Sequence, residues 1–314
     1  MRKDILVTVT LNPCIDKTVT VDGFVTGGLN RIIASRYDLS GKGINLSKAY
    51  RALGGQTTAS GLMPAGDAET YYRALTQQGI GHDFTEISGK VRENLKVCDA
   101  RTSAITEINE PGCTPTEADL QSLLGKIETQ AKTSWAMAFS GSIPPGCPAD
   151  IYQRLVSAAK AGGALTVLDC DGEPMRLGMK AEPEIIKPNL FELEQIAGKS
   201  LATQAEIADA ARGIIRTHGV RYAAVTLGEN GAMLVTKEAA YFAKPLDLDV
   251  RSATGAGDTF VAGFLTALRM GSDVPDMLRW GMAAAGDAVT REGTQVCTKT
   301  GTEALLESVR IEAI

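Results

Sequence analysis

Three observations predict an α/β fold built on one mostly parallel β-sheet. Short β-rich runs alternate with helical patterns of roughly 10–15 residues, the signature of β-α-β crossovers. Several of those helical patterns stop on Gly or Gly-Gly, a frequent C-terminal signal. No repeat, low-complexity tract or Pro/Ser-rich linker interrupts the 314 residues.

In chain order, the first strand is read in the apolar run Ile5–Leu11, and helical periodicity follows over Ile44–Gly54 and Ala68–Gly79. Trp135–Ser140 is a strand, Ile151–Gly163 a helix and Ala164–Asp169 a strand. Glu184–Asn189 and Ala223–Gly228 are further strands, and a long apolar helix opens at Asp258. Two stretches depart from the pattern. Lys17–Ile33 and Val91–Ile108 alternate like strands without a helix of their own, and both put polar or charged side chains on one face. They are read either as a small β-sheet projecting from the main body, serving as a lid or a dimer surface, or as two edge hairpins on the main sheet.

Composition narrows the function. The chain has 32 Lys+Arg against 37 Asp+Glu, a net charge of −5, with no basic block. Such a charge balance argues against nucleic acid or an anionic membrane surface as partner. Hydrophobic residues make up 44% and charged residues 22%, as in an ordinary globular protein rather than a disordered one. With only His82 and His218, histidine-rich metal chemistry is excluded. The six cysteines are scattered without a C-x-x-C pair and read as reduced, packed thiols. The N-terminal apolar run is too short for a signal peptide, and no stretch reaches the ~18–20 apolar residues of a membrane span. These features predict a cytoplasmic protein.

Five motifs carry candidate chemistry. In Ala253–Leu268 (ATGAGDTFVAGFLTAL), Gly255, Ala256 and Gly257 precede Asp258 at the mouth of a helix. Small residues there let backbone N–H groups approach an anion, and a carboxylate so placed is a base for an attacking hydroxyl. An ordinary N-cap aspartate after a glycine turn is the alternative. In Ser40–Gly55, Gly41 and Gly43 again precede a helix, with Lys42 and Asn45 at its mouth; the segment is not a Walker A loop and is equally a tight strand-to-helix turn. In Lys187–Glu194 (KPNLFELE), Asn189 and Glu192 lie three apart on a helix start. They read as a Mg²⁺–phosphate organising pair or as a surface cap. Val225–Ala232 (VTLGENGA) places Gly228 and Gly231 after a buried strand, suiting close approach of a ligand or a hairpin turn. Arg92, Asn94 and Lys96 alternate along one strand and share a face, as a phosphate clamp or as a charged edge.

In order and identity, these motifs resemble the PfkB (ribokinase-like) carbohydrate kinases from about Ile5 to Val296. TLNPCID (Thr10–Asp16) is similar to the opening motif of the phosphosugar branch, GKGIN (Gly41–Asn45) to the first family signature and TGAGD (Thr254–Asp258) to the second. FSGSIPPG (Phe139–Gly146), KPNLFE and TLGENG fall in the family's order. The resemblance implies a single kinase domain over residues 1–314. Its expected fold is a ribokinase-like three-layer α/β/α sandwich with a mostly parallel central sheet and a small β-sheet lid, formed by segments of about 12–35 and 91–110, that doubles as a homodimer surface. It further implies ATP with Mg²⁺ and a sugar hydroxyl as acceptor.

Residue by residue, the resemblance makes Asp258 the catalytic base and Gly255, Ala256 and Gly257 the anion hole. Asp16, Gly41, Lys42, Gly43 and Asn45 bind the sugar. Arg92 binds the phosphate already on it, with Lys96 and Ser140 assisting at that end. Lys187, Asn189, Glu192, Thr226, Gly228, Gly231 and Thr254 serve the nucleotide, with Glu192 holding Mg²⁺ through water. RENLK followed by TEINEPG (Thr106–Gly112) is most similar to the branch that phosphorylates fructose 1-phosphate to fructose 1,6-bisphosphate. Tagatose 6-phosphate and fructose 6-phosphate kinases are the neighbouring alternatives, and a non-catalytic sugar or nucleotide sensor on the same fold is a remote one. Three positions depart from the family pattern: Ser40, Thr226 and Glu93, the last turned away from the Arg92 face by strand alternation.

Overall fold

A computed structural model describes residues 4–102 and 104–314. Met1–Lys3, which precede the first apolar run, and Ser103, inside the Val91–Ile108 stretch, lie outside the described residues. The chain begins with β1 (Ile5–Thr10), the pair β2 (Cys14–Val21) and β3 (Ile32–Ser40), and α1 (Lys42–Ala52). Next come β4 (Gln56–Pro64), α2 (Ala68–Gln77), β5 (Gly81–Ile87) and a second pair, β6 (Arg92–Asp99) and β7 (Ile105–Asn109). Helices and strands then alternate: α3 (Glu117–Ala131), β8 (Ser134–Ser140), α4 (Ile151–Ala161), β9 (Leu165–Asp169), α5 (Gly172–Gly178) and β10 (Ile185–Ile186). After α6 (Leu190–Ala197) and α7 (Gln204–His218) come β11 (Tyr222–Thr226), β12 (Ala232–Val235) and β13 (Ala240–Ala243). The chain closes with α8 (Ala256–Met270), α9 (Val274–Val289), α10 (Lys299–Leu305) and β14 (Ile311–Ala313).

Among the described residues the strands form two sheets. The larger has the order β14-β13-β12-β11-β10-β9-β8-β1-β4-β5. It is parallel from β11 through β5 and antiparallel at the β12–β14 edge. Its strands alternate between two cores. Val7, Val9, Met137 and Phe139 face the layer made by α3, α4 and α7. Leu6, Ala136 and Ala138 face α1, α8 and α9. Burial on both faces explains why these strands read as continuous apolar runs. No helix among the described residues is long and apolar enough to cross a membrane.

The smaller sheet has the order β3-β2-β6-β7 and accounts for both irregular stretches, so the small-sheet reading holds over the edge-hairpin one. Its boundaries differ from expectation. β3 runs past residue 35 to Ser40, because it pairs with β2 all the way to Cys14 and delivers the chain directly to Gly41. Residues 22–31 are a turn rather than strand. The expected strand at Glu184–Asn189 shrinks to Ile185–Ile186. Pro188 has no N–H to give to a ladder, and its carbonyl instead accepts from Thr226 N at 3.1 Å.

Candidate active site

Parallel strands end at their carboxyl edge in loops, and there the sequence-read residues converge. A cavity of about 650 Å³ lies where β1, β8 and β9 end and the smaller sheet leans over them; Asp16, Asn45, Arg92, Lys96, Asp169 and Asp258 are among its walls. Gly41, Lys42, Lys187, Thr254, Gly255 and Gly257 complete its floor. Gly41 is dictated by geometry: its φ is 141°, and a Cβ would stand 2.8 Å from Thr10 Cγ2.

Asp258 sits in the first turn of α8, and the alternative of an N-cap aspartate does not hold. Gly255 is the N-cap, at φ 81°, with no side chain capping the helix. The carboxylate is buried and accepts from Asn45 Nδ2 at 3.0 Å. Asn45 is itself held by Ser40, whose Oγ lies 3.2 Å from the same amide nitrogen. Burial pushes the Asp258 pKa up to about 7, helped by the negative charge of Asp169 and opposed by Lys42, the Asn45 hydrogen bond and Lys187. In the first turn of α8, Ala256 N donates to the Ala253 carbonyl at 3.3 Å, while the next amides have no preceding helical carbonyl to bond and carry the positive end of the helix dipole.

Asp169 is a site residue that the sequence reading missed. It is buried at the end of β9, with Lys42 Nζ and Lys187 Nζ each 3.2 Å from its Oδ1. Burial opposes its ionisation, yet the two ammonium groups hold its pKa below the ordinary value. Asp169 in turn raises the Lys42 pKa, against the effect of burial. The only available signal was a carboxylate closing the apolar run ALTVLD.

The Arg92 row faces the cavity as alternation requires, with Glu93 turned outward. Arg92 Nη1 donates to the Glu110 carbonyl at 3.0 Å and Nη2 to the Asn12 carbonyl at 3.4 Å, while its buried Nε has no partner among the described residues. Asn94 Nδ2 donates to Asp16 Oδ1 at 3.2 Å, leaving a buried, unpartnered Oδ1. Lys96 does not sit with Arg92. Its Nζ lies 3.3 Å from Thr254 Oγ1 and 3.7 Å from Asp16 Oδ1.

Two of the expected sugar-site residues are not on the cavity wall. Gly43 is packed inside α1, where a Cβ would stand 2.6 Å from Thr10 Oγ1, so its smallness serves helix-to-strand packing. Ser140 is buried beneath the wall with its Oγ unpartnered, and its neighbours Gly141 and Ser142 take the lining positions.

A second cavity, of about 660 Å³, adjoins the first through Ala253 and Gly257, which line both. Asn189, Thr226, Gly228 and Gly231 stand on one side, while Leu246, Leu248, Val250 and Met282 contribute apolar wall. Gly231 must be glycine, since a Cβ would meet the Ala243 carbonyl at 2.2 Å. The apolar wall was also missed, although PLDLDV (Pro245–Val250) alternates visibly.

Asn189 and Glu192 form a reciprocal capping box: Glu192 N donates to Asn189 Oδ1, and Asn189 N to Glu192 Oε2, both at 2.8 Å. The capping alternative is therefore realised, and Glu192 lines neither cavity. No cluster of three or more His, Cys, Asp or Glu side chains suited to a metal occurs among the described residues.

A buried carboxylate in the first turn of a helix, in a cavity walled by charged side chains and next to a largely apolar one, suits transfer of a group between two bound molecules. The chain belongs to the pfkB family of carbohydrate kinases, matching the family over residues 9–301. It is 33% identical to 1-phosphofructokinase of Rhodobacter capsulatus over 98% of both chains. To 1-phosphofructokinase of Xanthomonas campestris it is 34% identical over 83% of both. Among solved structures, phosphofructokinase-2 from Escherichia coli superposes with a TM-score of 0.89 at 26% identity, covering 97% of this chain and 99% of that one.

Proposed function

We propose that this kinase transfers the γ-phosphoryl group of ATP to the 6-hydroxyl of fructose 1-phosphate. The observation that carries the proposal is the placement of Asp258, buried in the wall of the first cavity next to Gly257, which lines both cavities, and hydrogen-bonded to Asn45. The relatives' names and the RENLK row favour this phosphosugar.

The phosphosugar occupies the first cavity. Arg92, with a free Nε, takes its phosphate, and the unpartnered Asn94 Oδ1 and Asp16 accept from ring hydroxyls. ATP lies in the second cavity with its base against the Leu246–Val250 wall and its phosphates directed to Gly257. Asp258, with a pKa of about 7, is half ionised near neutrality and takes the proton of the 6-hydroxyl. The Gly255–Gly257 amides and the mouth of α8 stabilise charge on the phosphoryl group in transit. Lys187, Lys42 and Asp169 form a fixed charge array under that group. Glu192 would hold Mg²⁺ through water, and the ion, when bound, would supply positive charge to the nucleotide phosphates.

The smaller sheet acts as the lid, excluding water from the transfer. It also pairs two chains into a dimer, and the exposed Ile32, Ile33, Tyr37, Ile105 and Ile108 on β3 and β7 support that reading. The site of action is the cytoplasm. Comparison of kcat/KM on fructose 1-phosphate, fructose 6-phosphate and tagatose 6-phosphate with MgATP tests the substrate. A preference of at least tenfold for fructose 1-phosphate is expected, and a higher value on either other sugar overturns the assignment. Sedimentation of the parent against Ile33→Asp tests the dimer.

A further inference from the structure

From its contacts, we propose that Lys96 is a catalytic residue acting on the phosphoryl group in transit, rather than a clamp on the phosphate the sugar already carries. The inference rests on the kinase reading above. Arg92 and Lys96 lie four residues apart on one strand, about 13 Å of extended backbone. Their heads engage different partners in the cavity wall. Arg92 is tied to the backbone of Asn12 and Glu110, at the outer ends of β1 and β7. Lys96 crosses from the smaller sheet to the main body and reaches Thr254, the residue before the Gly255 N-cap. It is 7% exposed, and its other close partner is Asp16, also buried.

A buried ammonium placed there has a definite job. In the transfer, the 6-hydroxyl oxygen forms a bond to the γ-phosphorus while the bond from that phosphorus to the β,γ-bridging oxygen breaks. The electron pair of that bond leaves with ADP, and the hydroxyl proton passes to Asp258. Negative charge spreads over the three equatorial oxygens of the moving group. The helix mouth and Lys187 face that group from the main body, and Lys96 faces it from the lid. The ammonium donates hydrogen bonds to an equatorial oxygen and keeps its own protons throughout. Because it rides on the smaller sheet, its charge arrives only when that sheet is seated against Thr254. Cleavage is thereby tied to closure over a bound sugar, which limits wasteful hydrolysis of ATP.

The test uses Lys96→Met and Lys96→Arg in the full-length protein. The parent is first assayed on the three phosphosugars, and every later measurement uses the sugar it prefers. A different preferred sugar therefore revises the substrate assignment and leaves the role of Lys96 open to the same measurement. For Lys96→Met the expected result is a kcat lowered by about 10²–10³-fold, with the equilibrium Kd for the phosphosugar, measured without nucleotide, within threefold of the parent. A Kd weakened tenfold or more with kcat near the parent value overturns the proposal. If both parameters change, Lys96→Arg decides. Recovery of kcat by at least tenfold over Lys96→Met supports a charge acting on the moving group, and no recovery overturns it.

Discussion

Asn45 and Asp258, 213 residues apart in sequence, meet side chain to side chain at 3.0 Å. The contact joins the mouth of α1 to the mouth of α8 and orients a buried carboxylate that burial alone would leave protonated. It makes the two glycine-rich segments one device rather than two.

Replacement of Asp258 by Asn is expected to lower kcat by on the order of 10²–10⁴-fold while retaining phosphosugar binding. The same change is expected to stabilise the fold. The Asp258 pKa rises from 3.8 unfolded to about 7 folded, so its favourable contribution is complete below pH 3.8 and is lost as the pH climbs to about 7. Asn keeps the neutral form at every pH. The stability gap should therefore open between about pH 4 and 7 and stay constant above, reaching a few kcal/mol. Chemical denaturation of both proteins across that range checks it.

The pH–rate profile should carry the same signature. Log kcat/KM is expected to rise with unit slope up to about pH 7 and then level off, as an essential base ionises. The Asn45 hydrogen bond favours the ionised carboxylate, so Asn45→Ala should move the acidic limb to higher pH. Titration of the sugar phosphate itself would leave that limb in place.

Arg92→Ala is expected to raise KM for the phosphosugar about 10–100-fold, the loss of a hydrogen-bonded charge pair, with kcat changed much less. Steady-state kinetics at saturating MgATP give both values. An unchanged KM would move the resident phosphate elsewhere.

Asp169→Asn should destabilise the protein by about 3–5 kcal/mol at neutral pH, because Lys42 and Lys187 lose their shared buried partner. The folded pKa of Asp169 is depressed, so its contribution is complete above the unfolded value of 3.8 and is lost as the pH falls through the lower folded value. Denaturant midpoints of parent and variant should thus differ most at pH 7 and draw together as the pH is taken progressively below 3.8.

Much of the molecule was legible from residue order. Strand–helix alternation gave the sheet, and the irregular β stretches gave the second sheet, because period-2 patterning is local. The glycines ahead of Asp258 were legible for the same reason. Asp169 was not, since its meaning depends on Lys42, 127 residues away, and on Lys187. The packing of Gly43 against Thr10 was not legible either, because a glycine needed for close packing looks in sequence like one needed beside a ligand. The contact of Lys96 with Thr254 was not legible, because alternation fixes the face of a strand but not which distant residue each side chain on it reaches.

The parallel pairing of β2 with β6 also bears on how the molecule assembles. Cys14 is in register with Arg92, and the whole α1–β4–α2–β5 unit is threaded between them. Pairings that close so long a loop form after local ones, because the chain's freedom is lost before the contact returns any stabilisation. The seat for the phosphosugar is therefore a late product of refolding, and recovery of catalysis should trail recovery of helical signal.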